Sequence, residues 1–348
     1  MLRITLRDLQ WRRRRFAIAT VGTALVFAMT LVLAGVSAAF RVEADRTLAG
    51  IGADAWVVPA GSTGPFGGLA TLPQAQVAEV AREPGVRAAD PIIVLHQAAR
   101  AGGIKDITLI GYRPGGIGRP PLVDGRESVR AGEAVTDRSL GLSTGAGFTV
   151  GTRTYRVVGH TLHRTAYGGL PDVYVTVTEA QALTFGGQPL VGSVVTRGRP
   201  TMVPKGLVLM ENHTVRDDIL RPLGKAVQTI DLVQVLLWIV AACIIASVVY
   251  LSAMERVKDF AVLKATGASS RSLMTGLAVQ SVLVSLAAAL LSAVTAQGLA
   301  RLFPLAVEVP VSAMLVMPLV ALVVGLLASL SGAQRAVSVD PAMAFGGP

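Results

Sequence analysis

The chain has 348 residues, of which 52% are hydrophobic and only 16% charged. Soluble domains carry about 25% charged residues, so much of this chain is built to avoid water, and a single soluble enzyme domain is excluded. A formal net charge of +10 raises nucleic acid as a partner, but an aromatic content of 5% leaves little base-stacking surface, and the lone Cys243 excludes an internal disulfide or a multi-cysteine metal site.

Residues 1–15 carry a net charge of +5, from Arg3, Arg7 and Arg12–Arg15 against Asp8. Leu2, Leu6, Leu9 and Phe16 fall on one side of a helix here and Arg3, Arg7 and Arg14 largely elsewhere, the pattern of an interfacial helix on a membrane surface. Phe16–Phe40 then contains no Asp, Glu, Lys, Arg or His. It exceeds the roughly 20 residues that cross a bilayer. Val36-Ser37-Ala38-Ala39 has the small residues of a signal-peptide cleavage site, but signal cores run to roughly 7–15 residues, so residues 16–40 are expected to stay as a first transmembrane helix.

Residues 41–229 have ordinary soluble composition. Residues 55–58, 92–95, 107–110, 173–177 and 191–196 are β-rich, and 148–150 with 155–158 flank turn residues as a hairpin. Helices are expected over Pro73–Arg82, with Pro in its first turn, and over Thr178–Phe185, capped by Thr178. Strands and helices interleave irregularly, so the expected class is α+β. Gly61–Gly68 and Gly111–Gly118 read as exposed loops, and Trp56 with the first of them as a surface able to touch a partner.

Three further charge-free runs follow. Leu232–Met254 gives a second transmembrane helix over 230–254, Ser272–Ala300 a third over 272–300, and Val309–Gln334 a fourth over 309–334, with Pro318 expected to kink the last. The loop 255–271 has a net charge of +2, whereas 301–308 and the tail 335–348 balance to zero. Basic residues near membrane ends collect on the cytoplasmic side. Both termini and the 255–271 loop are therefore expected inside, and 41–229 outside; the positive charge reports topology rather than nucleic acid.

Catalytic patterns are missing. There is no G-x-x-x-x-G-K-[ST], no G-x-S-x-G and no H-E-x-x-H. Of His96, His160, His163 and His213, only the 160/163 pair is close, and two solvated loop histidines are expected there rather than a metal site. Asn212-His213-Thr214 matches a glycosylation sequon too short to carry weight. Within the spans the polar groups include Gln280, Gln297 and small hydroxyls. Ion-coupled transporters keep ionisable groups at that depth, so a solute path through these helices is poorly supported. Small residues recur at four-residue spacing, as Gly35 and Ala39, Ala242 and Ala246, and Ala321, Gly325 and Ser329. Such rows allow close helix packing, within the chain or across a dimer.

The segment Glu255–Ser269 is the most informative. No Gly or Pro interrupts Met254–Thr266, so a short helix is expected; Gly267 breaks it, and Ser269 or Ser270 caps the next. Phe260, Val262 and Leu263 beside charged flanks suggest a partner that covers them. Arg256, Asp259 and Ala261–Ser269 resemble the E-R-x-x-E-I-G-x-L-R-A-x-G-A-S segment of the MacB/FtsX superfamily of ABC transporter permeases, with Asp259, Ala261 and Lys264 where the family usually has Glu, Gly and Arg. The tail from Arg335 to Phe345, including Asp340-Pro341, is similar to the family's ending, and Arg126, Gly132–Val135 and Tyr155–Gly159 to a run in its extracytoplasmic core.

This resemblance implies a multi-pass permease of the bacterial plasma membrane without a fused ATPase: four transmembrane helices and a large α+β extracytoplasmic domain between the first and second. It implies a non-enzyme with no cofactor of its own, paired with a cytoplasmic ABC ATPase subunit that holds ATP and magnesium, and with a second permease copy. An extracytoplasmic adaptor, substrate or hydrolase completes the expected partners. The coupling residues are then Glu255, Arg256, Asp259, Phe260, Val262, Leu263, Lys264, Gly267, Ala268 and Ser269. Force would pass from Phe260 and Leu263 through the second span into Pro222–Asp231, with Phe40–Thr47 as the second arm. The expected work is export or extraction of a peptide, lipid or lipoprotein-like substrate, or mechanotransmission. The alternatives are a regulator that activates a cell-wall hydrolase without transport, and a membrane-anchored sensor with no ATPase.

Overall fold

The computed structural model describes residues 13–68, 70–255, 257–266, 269–300 and 309–338. The expected interfacial helix over 1–15 and the tail motif from Val339 onward lie outside the described residues, apart from Arg13–Arg15 at the start of the first helix. Among the described residues, four helices are long and apolar enough to cross a membrane. The first, α1 (Arg13–Ile51), continues well past its apolar stretch. The chain divides into a unit that holds the spans and a unit formed by Phe40–Lys225.

In the second unit, α1 is followed by β1 (Ala55–Pro59), β2 (Leu72–Pro73), α2 (Ala75–Ala81), β3 (Ala88–Arg100), β4 (Ile104–Tyr112), β5 (Asp124–Gly125) and β6 (Glu133–Asp137). Then come β7 (Gly147–Val150), β8 (Arg153–Thr161), β9 (Thr165–Ala166), β10 (Leu170–Thr176), α3 (Val177–Thr184), β11 (Leu190–Val191), β12 (Ser193–Arg197), β13 (Leu207–Met210) and α4 (Asn212–Leu220). The main sheet runs β13-β1-β12-β3-β4-β10-β6-β8-β5. Strand β7 pairs with both β3 and β8, which closes β3-β4-β10-β6-β8-β7 into a ring. Two pairings are parallel, β10 with β4 and β6 with β8.

Strand alternation sends successive residues to opposite faces, and the sheet uses both. Val57, Ile93, Leu109, Ala134, Val157, Val173, Val175 and Val194 belong to an enclosed core that takes Val80 from α2 and Val177 and Ala180 from α3. Their neighbours Trp56, Ile92, Ile110, Val135, Tyr174 and Val195 form a second core. That face is covered by Ala44, Leu48 and Ile51 of α1 and by Val215 and Ile219 of α4.

The expected hairpin is present, with Phe148 opposite Tyr155. Several local expectations are corrected. Pro73 lies in β2, and the helix begins at Ala75. The cap of α3 is Thr176, whose hydroxyl accepts from the Glu179 amide, because Thr178 is already helical. Gly111 belongs to β4 rather than to a loop; a side chain there would overlap the Ala180 methyl, so the glycine lets α3 lie directly on the strand. Trp56 is fully buried and donates to the Asn212 side chain at 3.0 Å, so it serves the core rather than a partner surface, and Asn212 serves it in turn. Pro65 and Phe66, in the first Gly-rich stretch, are buried as well. His160 is a buried residue of β8, held between Asp124 at 2.7 Å and the Leu142 carbonyl at 2.8 Å, and is no solvated loop histidine. Burial of its sequence neighbours on a strand, invisible in a two-histidine pattern, decides that outcome.

The spans of the first unit are α1, α5 (Gly224–Glu255), α7 (Ser270–Ala300) and α8 (Val311–Ser338), with the short α6 (Val257–Ala265) between α5 and α7. Helix α8 continues through Pro318.

Candidate functional site: the elbow and the roots of the spans

The elbow takes the form expected of it. Helix α5 stops at Glu255, α6 spans nine residues, and the Ser269 hydroxyl accepts from the Ser272 amide at 3.3 Å to cap α7. Arg256, Gly267 and Ala268 lie outside the described residues, as do the side chains of Leu263 and Lys264. Two neighbours on α6 separate sharply: Phe260 is 4% exposed and Val262 51%. Ala261 is buried with Phe260, and Glu255, Asp259 and Thr266 are exposed. The expectation that Phe260 offers itself to a partner is therefore corrected. At 100° per residue, Phe260 and Ala261 turn to the protein while Asp259, Val262 and Thr266 line the opposite side.

The spans themselves are packed by small and hydroxyl residues. On α7, Leu277, Ser281, Val284, Ser285, Ala288 and Ser292 form a buried stripe. Gly325 of α8 meets it: a Cβ there would fall 3.0 Å from the Val282 Cα and against the Ser285 hydroxyl. Ala321 and Ser329 are buried beside Gly325, so this row packs within the chain. Gly35 is buried on α1 and Ala39 half-buried; on α5 the buried row is Ala241, Ile245 and Val249, leaving Ala242 and Ala246 half-buried at its edge. The buried Gln280 donates to the Ser252 hydroxyl at 3.5 Å, and Gln234 to the Thr30 carbonyl at 3.4 Å. The hydroxyls of Ser285, Ser292 and Ser329 donate to carbonyls of their own helices. Of these bonds, those of Gln280 and Gln234 join one helix to another.

Sequence reasoning missed the residues that, within the Phe40–Lys225 unit, fasten the end of α1 and helix α4 to the surrounding loops. On α1, Glu43 accepts from the Gly168 and Gly169 amides at 2.7 and 2.8 Å and from the Thr165 hydroxyl. One turn on, Thr47 donates to the Thr165 carbonyl at 3.1 Å. On α4, the fully buried Asp218 accepts from the Phe66 and Gly67 amides at 2.8 and 2.9 Å. The four-residue spacing of Glu43 and Thr47 was the available signal; nothing local marked Asp218.

The stretches resembling the family's core run also meet. Arg126 holds Glu133 bidentately at 2.5 and 2.7 Å, which pulls the Glu133 carboxyl down to about 2. Gly159, opposite them on β8, admits the Asp124–Arg126 backbone where a Cβ would crowd it. Within β10 of the same sheet, burial pushes the Asp172 carboxyl up to about 8; Tyr174 donates to one of its oxygens at 3.3 Å. Among the described residues no group of three or more His, Cys, Asp or Glu side chains could hold a metal.

Residues 232–341 match the family described as FtsX-like permease C-terminal. An ABC transporter permease of Mycobacterium bovis is 46% identical over 349 residues, with 100% of each chain covered. Two permeases of Mycobacterium tuberculosis H37Rv are 46% and 44% identical over the same full length. Among solved structures, the periplasmic region of MacB from Actinobacillus actinomycetemcomitans aligns at 14% identity and a TM-score of 0.35, covering 49% of this chain and 95% of that one. The extracellular domain of YknZ, a noncanonic ABC-type transporter from Gram-positive bacteria, aligns at 16% and 0.34, covering 45% and 99%. With full-length relatives at this identity, and with the elbow and three of its four spans inside the matched family segment, the chain belongs to the FtsX-like ABC transporter permeases.

Proposed function

We propose that this chain is the force-transmitting membrane subunit of an ABC machine in which a separate ATPase subunit grips α6 from the cytoplasm. Nucleotide-driven movement of that ATPase tilts α5 and α7, and the spans carry the displacement to the Phe40–Lys225 unit outside. There it acts on a peptide, lipid or lipoprotein-like substrate that is extracted or exported. Both termini lie in the cytoplasm, following the basic residues at 1–15 and 255–271. The working unit contains two permease copies and two ATPases, with ATP and magnesium on the latter.

The observation that carries this reading is the split on α6: Phe260 and Ala261 root the elbow in this chain, while Val262, with Asp259 and Thr266 beside it, presents a mixed apolar and polar ridge. A rooted helix with an outward ridge can receive force without being pulled loose. The packed, uncharged spans favour transmission over a hydrated pore.

The test is Val262→Asp in the full-length chain, co-expressed with its ATPase. The expected result is normal membrane insertion with at least a tenfold fall in co-purified ATPase, since a buried unpaired charge costs more than about 1.4 kcal/mol. Undiminished co-purification would remove the elbow from the contact.

A further inference from the structure

We propose that Glu43 and Asp218 are paired positioning residues, the anchors of a yoke that makes the helices leading to the first and second spans move together with β10. This deepens the force-transmission reading and rests on it.

Both carboxylates sit in cradles made for them. Glu43 is held by the amides of Gly168 and Gly169, which follow Tyr167. All three residues have positive φ, at 54° for Tyr167, 84° for Gly168 and 103° for Gly169. A tyrosine in that region is disfavoured by its Cβ and persists only where its surroundings hold it. On the other side, a Cβ at Gly64 or Gly67 would overlap the Asp218 carboxylate.

The two cradles are joined. The buried Tyr167 hydroxyl donates to the Phe66 carbonyl at 2.6 Å, and the two rings lie 6.3 Å apart. An unbroken path therefore runs from Glu43 through Gly168, Tyr167 and Phe66 to Asp218. Arg216 of α4 reaches Asp45 of α1 at 3.1 Å along the rim, a second tie between the same helices. The Glu43 side leads directly into the sheet: Ala166 pairs with Leu170, and β10 lies between β4 and β6 in the closed ring. A core contact alone would need neither a strained tyrosine nor two glycine cradles joined through it.

The test measures amide exchange by mass spectrometry on the full-length chain, first in detergent without ATPase or nucleotide. Glu43→Gln is expected to speed exchange about tenfold in residues 163–171, the loss of charge-assisted bonds, and also to speed residues 61–68 across the Tyr167 link. Asp218→Asn should produce the reciprocal pair of effects. In a Tyr167→Phe background, which removes only a hydroxyl, each carboxylate substitution should act on its own loop alone. Effects confined to the local loop while Tyr167 is intact would overturn the yoke, as would cross effects undiminished in Tyr167→Phe. With the ATPase and ATP added, the expected change in exchange of residues 170–176 in the unaltered chain should be lost in Glu43→Gln while ATPase binding persists; its retention in that variant would count against the yoke. No ATP-dependent change in the unaltered chain would overturn the force-transmission reading instead, leaving the nucleotide-free results to judge the yoke.

Discussion

The two faces of the sheet are equally well buried but closed by different kinds of helix. The enclosed face takes α2 and α3, short helices that begin and end within the domain. The opposite face takes the last turns of α1 and the whole of α4, both continuous with apolar spans. Damage to the first face should therefore unfold the domain and do nothing else. Damage to the second should also loosen the domain from the helices that continue into the spans.

Leu109→Ala on the enclosed face should show the largest effect. It removes a fully buried side chain and is expected to cost about 3–5 kcal/mol, read as earlier denaturant unfolding of the full-length protein, with ATP-dependent movement unchanged per folded molecule. Leu48→Ala on the opposite face, 8% exposed in the native chain, should cost less, about 2–3 kcal/mol, yet reduce that movement per folded molecule. Equal losses of movement in both variants would erase the distinction between the faces.

Asp172, a fully buried residue of β10, offers a pH-dependent probe. Folded, its carboxyl keeps its proton up to about 8; unfolded, it ionises near 3.8. The folded state thus binds more protons between these values, and stability should fall as pH rises from about 4 through 8. Asp172→Asn should flatten the profile, checked by unfolding midpoints at several pH values.

The smallest effect is expected at Arg126→Ala. Its guanidinium is half exposed, so the loss should stay near 1 kcal/mol or below. Because the Glu133 carboxyl is pulled down to about 2 from 4.5, the benefit is present above about 4.5 and disappears as pH falls through 2. Midpoints for the two proteins should converge in acid.

The parts of this molecule written in local pattern were legible in the sequence. Four charge-free runs gave the spans, Phe148 and Tyr155 gave a hairpin, and Ser269 gave a helix cap. What depended on distant pairing was not. No local signal shows that β10 lies parallel to β4, or that β7 closes a ring by bridging β3 and β8. Trp56 reads as a sticky surface residue because its cover, α4, is contributed by a remote part of the chain, and the burial of Phe260 is equally unmarked in its own segment. Thr176 and Thr178 are equivalent as caps until the end of β10 fixes which one precedes the helix. Asp218 could be recognised only once Gly64 and Gly67 had been brought against it.

The only thiol in the protein, Cys243, sits exposed on α5, the span with the smallest buried share among the four. A membrane-permeant maleimide would thus mark a single known position with no background to remove. Whatever comes to rest against that helix during a working cycle, lipid or protein, would register directly as a change in how fast this sulfur reacts.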